Sequence, residues 1–383
     1  MGEKARVAEL GAYFAARQTA LLADLRALVE IESPSDDAAA VTEVAAYVHE
    51  RLTSVGVPAE RIASPGAGDA VLARLGPATG GTLVLSHIDT VWPVGTLREL
   101  PFEVKDGRAT GPGVFDMKAG VAVKLAVLSA IAAGAVSPKR GVSALFVPDE
   151  EIGSRSSRVL IVEEARARTR VLVLEPSADG GAAKVARKGI GFVKVHVQGV
   201  ASHAGLDPEK GASALSELSR FVLHAEALAR LDLGTSLVVT TAQAGTKSNV
   251  VPELAEATID FRIWTVEEGE RVMKGLDEFR PADPRVTLTL SGGVNRGPME
   301  PTAQSLALYD AARHVMAVLG VELGQARVGG ASDGNLTASA GIPTLDGLGP
   351  AGGGAHARSE HLLVTDLPRR AALLAAMLEE RNP

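Results

Sequence analysis

One arrangement recurs in LVLSHIDT (residues 83–90), VPDEEIGS (147–154) and LVLEPS (172–177): a short apolar run leads to an imidazole or a carboxylate. Such runs are typical of buried strands, and strands that alternate with helical stretches form a mostly parallel sheet. In an open α/β sheet, ligands bind in the crevice at the carboxyl ends of the strands. The three segments therefore predict an α/β fold with a polar site along one edge of its sheet.

Two glycine-rich segments, GPGVFDMKAG (111–120) and GGGAHARSE (352–360), add one carboxylate and one imidazole to this set. The sequence contains no cysteine, which excludes disulfides and thiolate metal sites. Two imidazoles and three carboxylates form a donor set that suits zinc. The five candidate metal ligands are His87, Asp116, Glu151, Glu175 and His356.

Each of these positions also has an ordinary structural explanation. Alone, His87 and Asp89 are compatible with a surface histidine beside a turn aspartate, and Asp116 with the N-cap of the helix that follows it. Residues 149–151 are compatible with a solvated acidic loop, although three adjacent carboxylates repel one another unless a cation compensates them. At a strand end, residues i and i+2 point the same way, so Asp89 can accept a hydrogen bond from the His87 nitrogen that does not bind metal.

Composition narrows the class of protein. The chain has 383 residues, of which 46% are hydrophobic and 22% are charged, and its length fits roughly two to three domains. A net charge of −7 argues against a nucleic-acid partner, which needs a basic face. The first residues lack an apolar signal region, and no apolar run reaches the ~18 residues of a membrane span. We therefore expect a soluble cytoplasmic enzyme without a membrane partner.

The hydrophobic period divides the chain into predicted elements. Helical spacing covers residues 5–31, 37–55, 118–133 and 156–168, and short apolar runs cover 70–75, 82–86, 142–147 and 171–174.

Near residue 188 the pattern changes. A helix is predicted at 208–230 and strands at 236–243 and 254–264, the last with strict alternation of apolar and polar residues. Such alternation is typical of an antiparallel sheet with one solvated face. We therefore predict a discontinuous α/β domain, residues 1–187 and 295–383, interrupted by a smaller α+β insertion at 188–294.

Seven motifs follow one another along the chain: SHIDTV, GPGVFDMKAG, PDEEIGS, EPS, GVASHAG, SNVVPE and GGGAHARSE. In this order they resemble the zinc-dependent exopeptidase and deacylase family that includes glutamate carboxypeptidase, acetylornithine deacetylase and succinyl-diaminopimelate desuccinylase. The resemblance covers nearly the whole chain and is closest to the glutamate carboxypeptidase branch. It implies a mostly parallel mixed sheet sandwiched by helices, with the insertion serving as a lid and dimerisation domain.

The resemblance also implies two zinc ions per chain and divides the five ligands between them. His87 and Glu175 would hold one zinc, Glu151 and His356 the other, and Asp116 would bridge both. Co²⁺ or Mn²⁺ would be able to substitute for zinc. The peptide bond after the bridging aspartate is expected to be cis.

Further roles come from the same resemblance. Glu150 would be the catalytic base and Asp89 the hydrogen-bond partner of His87. The residues alone leave open which of Glu150 and Glu151 is the ligand and which is the base. His361 competes with His356 for the last ligand position, and His356 is preferred because it follows the glycine run, as the family motif requires. The family more often has an aromatic residue at position 361.

The insertion contributes three further candidates. By resemblance, His203 would stabilise the oxyanion when the lid closes, and Asn249 and Arg262 would hold a substrate carboxylate. The alternatives are a loop histidine for His203, and for Arg262 a solvated strand arginine that faces Asp260 or Glu256.

Three functions remain open at this point. The first is a carboxypeptidase that acts on peptides or acyl-glutamate-like substrates, working as a homodimer. The second is an aminopeptidase, a dipeptidase or an N-acyl amino acid deacylase with the same zinc site. The third is an inactive binding protein, which is disfavoured because all five ligands and the base are present.

Overall fold

A computed structural model describes residues 2–379, and the chain divides into two compact units. Unit 1 comprises Met1–Val185, Pro301–Val328 and Ser332–Pro383, and unit 2 comprises Ala186–Glu300 and Gly329–Ala331. The short segment Gly329–Ala331 thus joins unit 2, although the predicted boundaries leave it in the larger domain.

The described residues form ten α-helices: α1 (Glu3–Ala15), α2 (Gln18–Glu30), α3 (Ala38–Ser54), α4 (Ala119–Ala132), α5 (Arg158–Arg166), α6 (Ala214–Ala227), α7 (Val266–Asp277), α8 (Ala303–Val318), α9 (Asp333–Ser339) and α10 (Leu367–Glu379). The same residues form sixteen strands: β1 (Ala59–Ser64), β2 (Gly68–Leu75), β3 (Thr82–His87), β4 (Glu103–Lys105), β5 (Arg108–Thr110), β6 (Val142–Val147), β7 (Arg170–Val173), β8 (Ala183–Arg187), β9 (Gly189–Gln198), β10 (Ser236–Ala244), β11 (Leu254–Ile263), β12 (Thr287–Arg296), β13 (Gln325–Val328), β14 (Thr344–Leu345), β15 (Gly352–Gly353) and β16 (His361–Leu363).

The main sheet of unit 1 has the strand order β1-β2-β6-β3-β7-β14. Strands β6, β3, β7 and β14 run parallel to one another, whereas β1 and β2 are antiparallel to their neighbours. Every residue of β3, β6 and β7 is buried, which explains why their sequences are continuous apolar runs rather than alternating ones. The predicted α/β fold with a parallel-rich mixed sheet is confirmed.

The prediction of one long helix over residues 5–31 is wrong, because the structure has two helices there. α1 ends at Ala15 and α2 begins at Gln18. Between them, the Arg17 guanidinium donates to the carbonyl of Tyr13 and stacks on its ring at 3.6 Å. This arrangement satisfies a carbonyl at the end of α1, so the continuous apolar period conceals a helix boundary.

Unit 2 contains a four-stranded antiparallel sheet in the order β10-β11-β9-β12. The alternate burial along β9 and β11 confirms the predicted solvated face. Its buried face packs with Phe221 of α6 and Val272 of α7 into one apolar core. The helix predicted at 208–230 is shorter than expected, because the Ser213 side chain caps α6 by accepting the N–H of Ser216.

Among residues 2–379, none of the helices combines the length and the apolar character that crossing a membrane requires.

Candidate metal centre

Parallel strand order brings three of the predicted positions to one edge of the unit 1 sheet. β3 lies between β6 and β7 and runs parallel to both, so the carboxyl ends of the three strands meet. His87 is the last residue of β3, the turn Glu150–Ile152 follows β6, and Glu175 follows β7. His87, Glu150 and Glu175 are all buried at this edge, as expected for functional side chains in a strand-end crevice.

Asp116 reaches the same edge from an irregular turn. Residues Val114–Lys118 form one turn before α4, with non-helical backbone at Asp116 and Met117. The peptide bond between Asp116 and Met117 is cis, as predicted. His356 follows β15 and has a left-handed backbone, with φ of 61°.

The side chains form two neighbouring pairs that share one carboxylate. Asp116 Oδ1 lies 3.3 Å from His87 Nε2, and Asp116 Oδ2 lies 3.3 Å from His356 Nε2. Glu175 Oε1 lies 3.5 Å from His87 Nε2. Glu151 Oε1 lies 3.1 Å from His356 Nε2. The structure therefore brings all five predicted ligands together, with Asp116 between a His87–Glu175 pair and a His356–Glu151 pair.

The donor atoms are close enough to hold cations. The ligand atoms of His87, Asp116 and Glu151 lie within 4.8 Å of one another, and so do those of His87, Glu150 and Glu175. The second group includes Glu150, which distance alone does not separate from a ligand. Glu151 Oε1 lies 3.1 Å from His356 Nε2, a contact that is compatible with a shared cation. The nitrogen and oxygen donors fit zinc.

Asp89 connects two parts of the centre. Its Oδ1 lies 3.3 Å from His87 Nδ1, which is also 3.0 Å from the Asp89 carbonyl oxygen. The Asp89 carboxylate accepts the N–H groups of Glu150 and Glu151 at 3.1 Å each, and the Ser35 hydroxyl at 2.6 Å. Asp89 thus orients the imidazole of His87 and anchors the turn that carries both glutamates.

Electrostatics couples the imidazoles to the carboxylates. The Asp116 and Glu151 carboxylates, which accept hydrogen bonds from the imidazole, raise the pKa of His356 to about 10. Burial lowers the pKa of His87, but contacts with Asp116 and Asp89 outweigh it and hold that pKa well above its usual value. Burial raises the pKa of Asp116, yet both histidines outweigh it, and the pKa falls. Because metal ligands must be deprotonated, binding a cation here displaces protons from the imidazoles.

The sequence interpretation gave Glu360 no role beyond its place in a motif. The Glu360 carboxylate accepts four N–H groups, from Trp92 Nε1 at 2.7 Å and from the backbone of Gly113, Phe115 and Asp116 at 2.9 Å each. It therefore holds the turn that presents Asp116. The available sequence signal was the acidic residue at the end of GGGAHARSE, but its partners lie 244 to 268 residues away and no local pattern identifies them.

His361, the competitor for the last ligand position, contacts a backbone carbonyl. Its Nδ1 is 2.9 Å from the carbonyl oxygen of Ser359. The histidine that the structure brings to Asp116 and Glu151 is therefore His356.

The remaining candidates lie in unit 2. His203 is exposed, and its Nδ1 accepts the N–H groups of Gly205 and Leu206 at 3.1 Å each. The backbone of Ala204 donates to the carbonyl of Asn249 at 2.9 Å, so His203 and Asn249 lie on adjacent segments.

Arg262 is placed on β11 of the same unit. Its guanidinium forms a bidentate ion pair with Asp260, at 2.7 and 2.9 Å. Of the two acidic partners considered from the sequence, Asp260 is the one that it contacts.

A sequence profile of peptidase family M20/M25/M40 matches residues 83–380. The chain belongs to this family. It is therefore a hydrolase of the metallopeptidase class, and the predicted resemblance is confirmed.

Two curated relatives and one solved structure illustrate the similarity. Carboxypeptidase G2 from Pseudomonas sp. (strain RS-16) is 33% identical over 375 residues, covering 94% of this chain and 89% of the relative. A succinyl-diaminopimelate desuccinylase from Dechloromonas aromatica is 28% identical, covering 86% of this chain and 91% of the relative. The crystal structure of aminopeptidase PepT from Bacillus cereus superposes with a TM-score of 0.79 at 23% identity, covering 94% and 98% of the two chains. The last similarity concerns the fold alone.

Proposed function

We propose that this protein is a two-zinc exopeptidase of the glutamate carboxypeptidase type, which hydrolyses an amide bond of a peptide or an N-acyl amino acid. The observation that carries the proposal is the Asp116 carboxylate, whose two oxygens face His87 and His356 separately. A carboxylate in this position can bridge two neighbouring cations, as in two-metal hydrolases. The 33% identity to carboxypeptidase G2 supports this branch of the family.

In the proposal, His87 and Glu175 would hold one zinc, Glu151 and His356 would hold the other, and Asp116 would be shared between the two. When bound, zinc lowers the pKa of water towards neutrality and polarises a carbonyl oxygen. Asp89 fixes the orientation of His87 through the ring nitrogen that faces away from Asp116. Co²⁺ and Mn²⁺ are expected to support turnover in place of zinc.

Glu150 is the proposed general base. It is 9% exposed, its backbone N–H donates to Asp89, and its carboxylate lies within 4.8 Å of the donor atoms of His87 and Glu175. Glu150 accepts a proton from the attacking water and passes it to the nitrogen of the scissile amide as the C–N bond breaks. The products are a carboxylate and an amine, and no covalent intermediate with the protein is required.

His203 is the proposed donor to the oxygen that becomes negatively charged. Because Nδ1 accepts two N–H bonds, the proton of a neutral His203 ring lies on Nε2. An exposed Nε2–H is suited to stabilise the developing oxyanion. This role requires unit 2 to act as a lid during turnover.

Arg262 is proposed to hold the carboxylate of the substrate, together with Asn249. Arg262 and Arg296 flank the same residue of β9, Ile190, in the register of the sheet. Residues that pair across neighbouring strands share one face, so the two arginines lie on one face at roughly twice the 4.8 Å strand spacing. Asp260 now pairs with Arg262, and a substrate carboxylate would have to compete with it.

Substrate profiling tests the proposed branch. The zinc-loaded protein is assayed on N-blocked peptides with a free carboxyl terminus, on peptides with a blocked carboxyl terminus, and on acylated amino acids. We expect cleavage to require a free carboxylate next to the scissile amide and to tolerate a blocked amino terminus. A requirement for a free amino terminus would instead establish an aminopeptidase. Turnover restricted to small acyl groups would establish a deacylase, and no turnover would contradict all three.

We further propose that unit 2 forms a homodimer through its sheet. β10 and β12 are the outer strands of that sheet, and β10 carries the exposed Val238. Open strand edges are commonly covered by pairing with another chain. Light scattering at micromolar concentration is expected to give twice the chain mass of 39.5 kDa. A mass of one chain would remove this proposal.

A further inference from the structure

The two glutamates assigned to the centre, Glu150 and Glu151, are neighbours in one three-residue turn, Glu150–Ile152. One end of this turn is anchored, because the Asp89 carboxylate accepts the N–H groups of Glu150 and Glu151. The positions of the Glu150 and Glu151 carboxylates also depend on the contacts that hold the other end of the turn, after Ile152. A base misplaced by about 1 Å can lose on the order of 100-fold in rate.

Ser154 stands at that other end. Its N–H donates to the carbonyl of Asp149 at 2.7 Å, and its side chain is fully buried. Its backbone has φ of 51°, in the left-handed region that glycine adopts most readily. Serine in this conformation adds a hydroxyl that glycine lacks, and this hydroxyl donates to Asp333 Oδ1. Because Ser154 adopts an unfavourable backbone conformation and its hydroxyl forms a buried hydrogen bond with Asp333, we infer that this bond has a role.

Asp333 is the first residue of α9 and is 2% exposed. It is not needed to cap this helix. Ser332 accepts the N–H of Gly334 at 3.0 Å, and Asn335 accepts the N–H of Ser332 at 2.9 Å, which completes a capping box. The Asp333 carboxylate accepts the hydroxyl of Ser154, 179 residues away in the chain.

We propose that Asp333, acting through the Ser154 hydroxyl, is a positioning residue for Glu150 and Glu151. Two buried aspartates then hold the turn from its two ends, Asp89 through backbone N–H groups and Asp333 through a side chain. Groups that must keep a catalytic geometry need such support from the residues behind them. The inference rests on the proposed function, in which Glu150 is the base and Glu151 a metal ligand.

The decisive variant is Ser154→Gly, because glycine keeps the left-handed backbone and removes only the hydroxymethyl group. Asp106→Gly is the matched control, since Asp106 also has a positive φ, 50°, and lies exposed in the loop between β4 and β5. We expect Ser154→Gly to lower kcat by about 10- to 100-fold with KM within about threefold. Asp106→Gly is expected to leave both constants unchanged. Ser154→Gly is expected to lower Tm modestly, because relief of the left-handed backbone offsets only part of the lost buried hydrogen bond, and kcat is therefore measured well below the Tm of both variants.

Hydrogen exchange gives a readout that does not depend on turnover. In protein treated with a chelator, the amides of residues 150–154 are expected to exchange faster in Ser154→Gly than in the wild type or in Asp106→Gly. Asp333→Ala should reproduce the loss in kcat, Asp333→Asn should restore part of it, and Ser154→Gly combined with Asp333→Ala should lose no more than either alone.

Several results would overturn the inference. Ser154→Gly with kcat and exchange rates like those of the wild type would show that the bond does not position the turn. Additive losses in the double variant would show that the two residues act separately. A wild-type protein without activity on any amide substrate would contradict the proposed function instead, and the exchange measurement would still decide whether Asp333 and Ser154 hold the turn.

Discussion

Replacing Glu360 by glutamine tests whether a residue outside the ligand set determines metal affinity. All four of its close partners are N–H donors: Gly113 and Trp92 at Oε2, and Phe115 and Asp116 at Oε1. Glutamine has one acceptor oxygen, so in either orientation its NH₂ group faces two donors that it cannot accept. Glu360→Gln therefore conserves the shape of the side chain and removes two of the four hydrogen bonds.

The expected magnitude follows from those two bonds. A hydrogen bond to a charged group contributes about 1.5–3 kcal/mol, so their loss costs about 3–6 kcal/mol before the surroundings relax. Because three of the four donors, Gly113, Phe115 and Asp116, lie in or next to the turn that presents Asp116, part of this cost appears as weaker metal binding. At about 1.4 kcal/mol per tenfold change in affinity, the largest loss of zinc affinity would be between about 10²- and 10⁴-fold. Relaxation of the surrounding residues reduces this loss. We therefore expect the zinc affinity to fall by about 10- to 100-fold, which is typical when a residue that supports a metal ligand is replaced.

Competition with a chelating dye at fixed pH measures the zinc affinity of each variant. The matched control is Glu217→Gln, because Glu217 is a buried glutamate of unit 2 that accepts the N–H groups of Ala282 and Asp283 and the guanidinium of Arg220. The control is expected to lower stability without changing zinc affinity. If Glu360→Gln binds zinc within twofold of the wild type, the Glu360 contacts do not support the centre.

Three further perturbations address the base, the lid and the core. Glu150→Gln should reduce kcat by at least about 100-fold while the protein retains two zinc ions per chain by elemental analysis, because a base is lost and no ligand is; loss of one zinc would mean that Glu150 and Glu151 have exchanged roles. His203→Ala should lower kcat by about 100-fold or more with unchanged zinc content, since it removes an oxyanion donor; full activity would exclude the lid from catalysis. Lys124→Met should raise the free energy of unfolding at neutral pH, because burial holds the pKa of Lys124 well below its usual 10.5. Two contacts of Nζ, a hydrogen bond to the carbonyl of Leu145 and the Phe146 ring centroid at 3.5 Å, do not offset this effect of burial. The folded wild type therefore binds fewer protons than its unfolded chain, so its stability rises as the pH rises towards 10.5, by at most about 1.4 kcal/mol per pH unit. The stability advantage of the methionine variant shrinks by the same amount. Urea unfolding that shows the same advantage at pH 7 and pH 10 would contradict this prediction.

Several elements were predictable because their causes are local. Continuous apolar runs indicate β3, β6 and β7, which are buried on both faces, and strict alternation indicates β11 with its solvated face. Asp37 accepts the N–H groups of Ala39 and Ala40 and so sets the start of α3, which lies within the predicted helix at 37–55. Period alone did not reveal the boundary at Arg17 between α1 and α2, because the apolar spacing continues through it.

The ligand set was also accessible from the sequence, since short apolar runs that lead to His87 and Glu175 imply side chains at a common strand edge. The partition of roles was not. Glu150 and Glu151 are adjacent and chemically identical, so no local pattern assigns their roles, and the tertiary structure adds the 3.1 Å contact between Glu151 and His356.

The sequence by itself determined the α/β class, the family and the residue types of the metal centre, because hydrophobic period and motif chemistry are properties of neighbouring residues. Only the tertiary structure decided which residues support that centre. Glu360 accepts N–H groups of the turn that presents Asp116, about 245 residues away in the chain. Asp333 accepts the hydroxyl of Ser154, which is 179 residues away. Hydrogen bonds over such separations depend on how strands and helices pack, and no local pattern in the sequence records them.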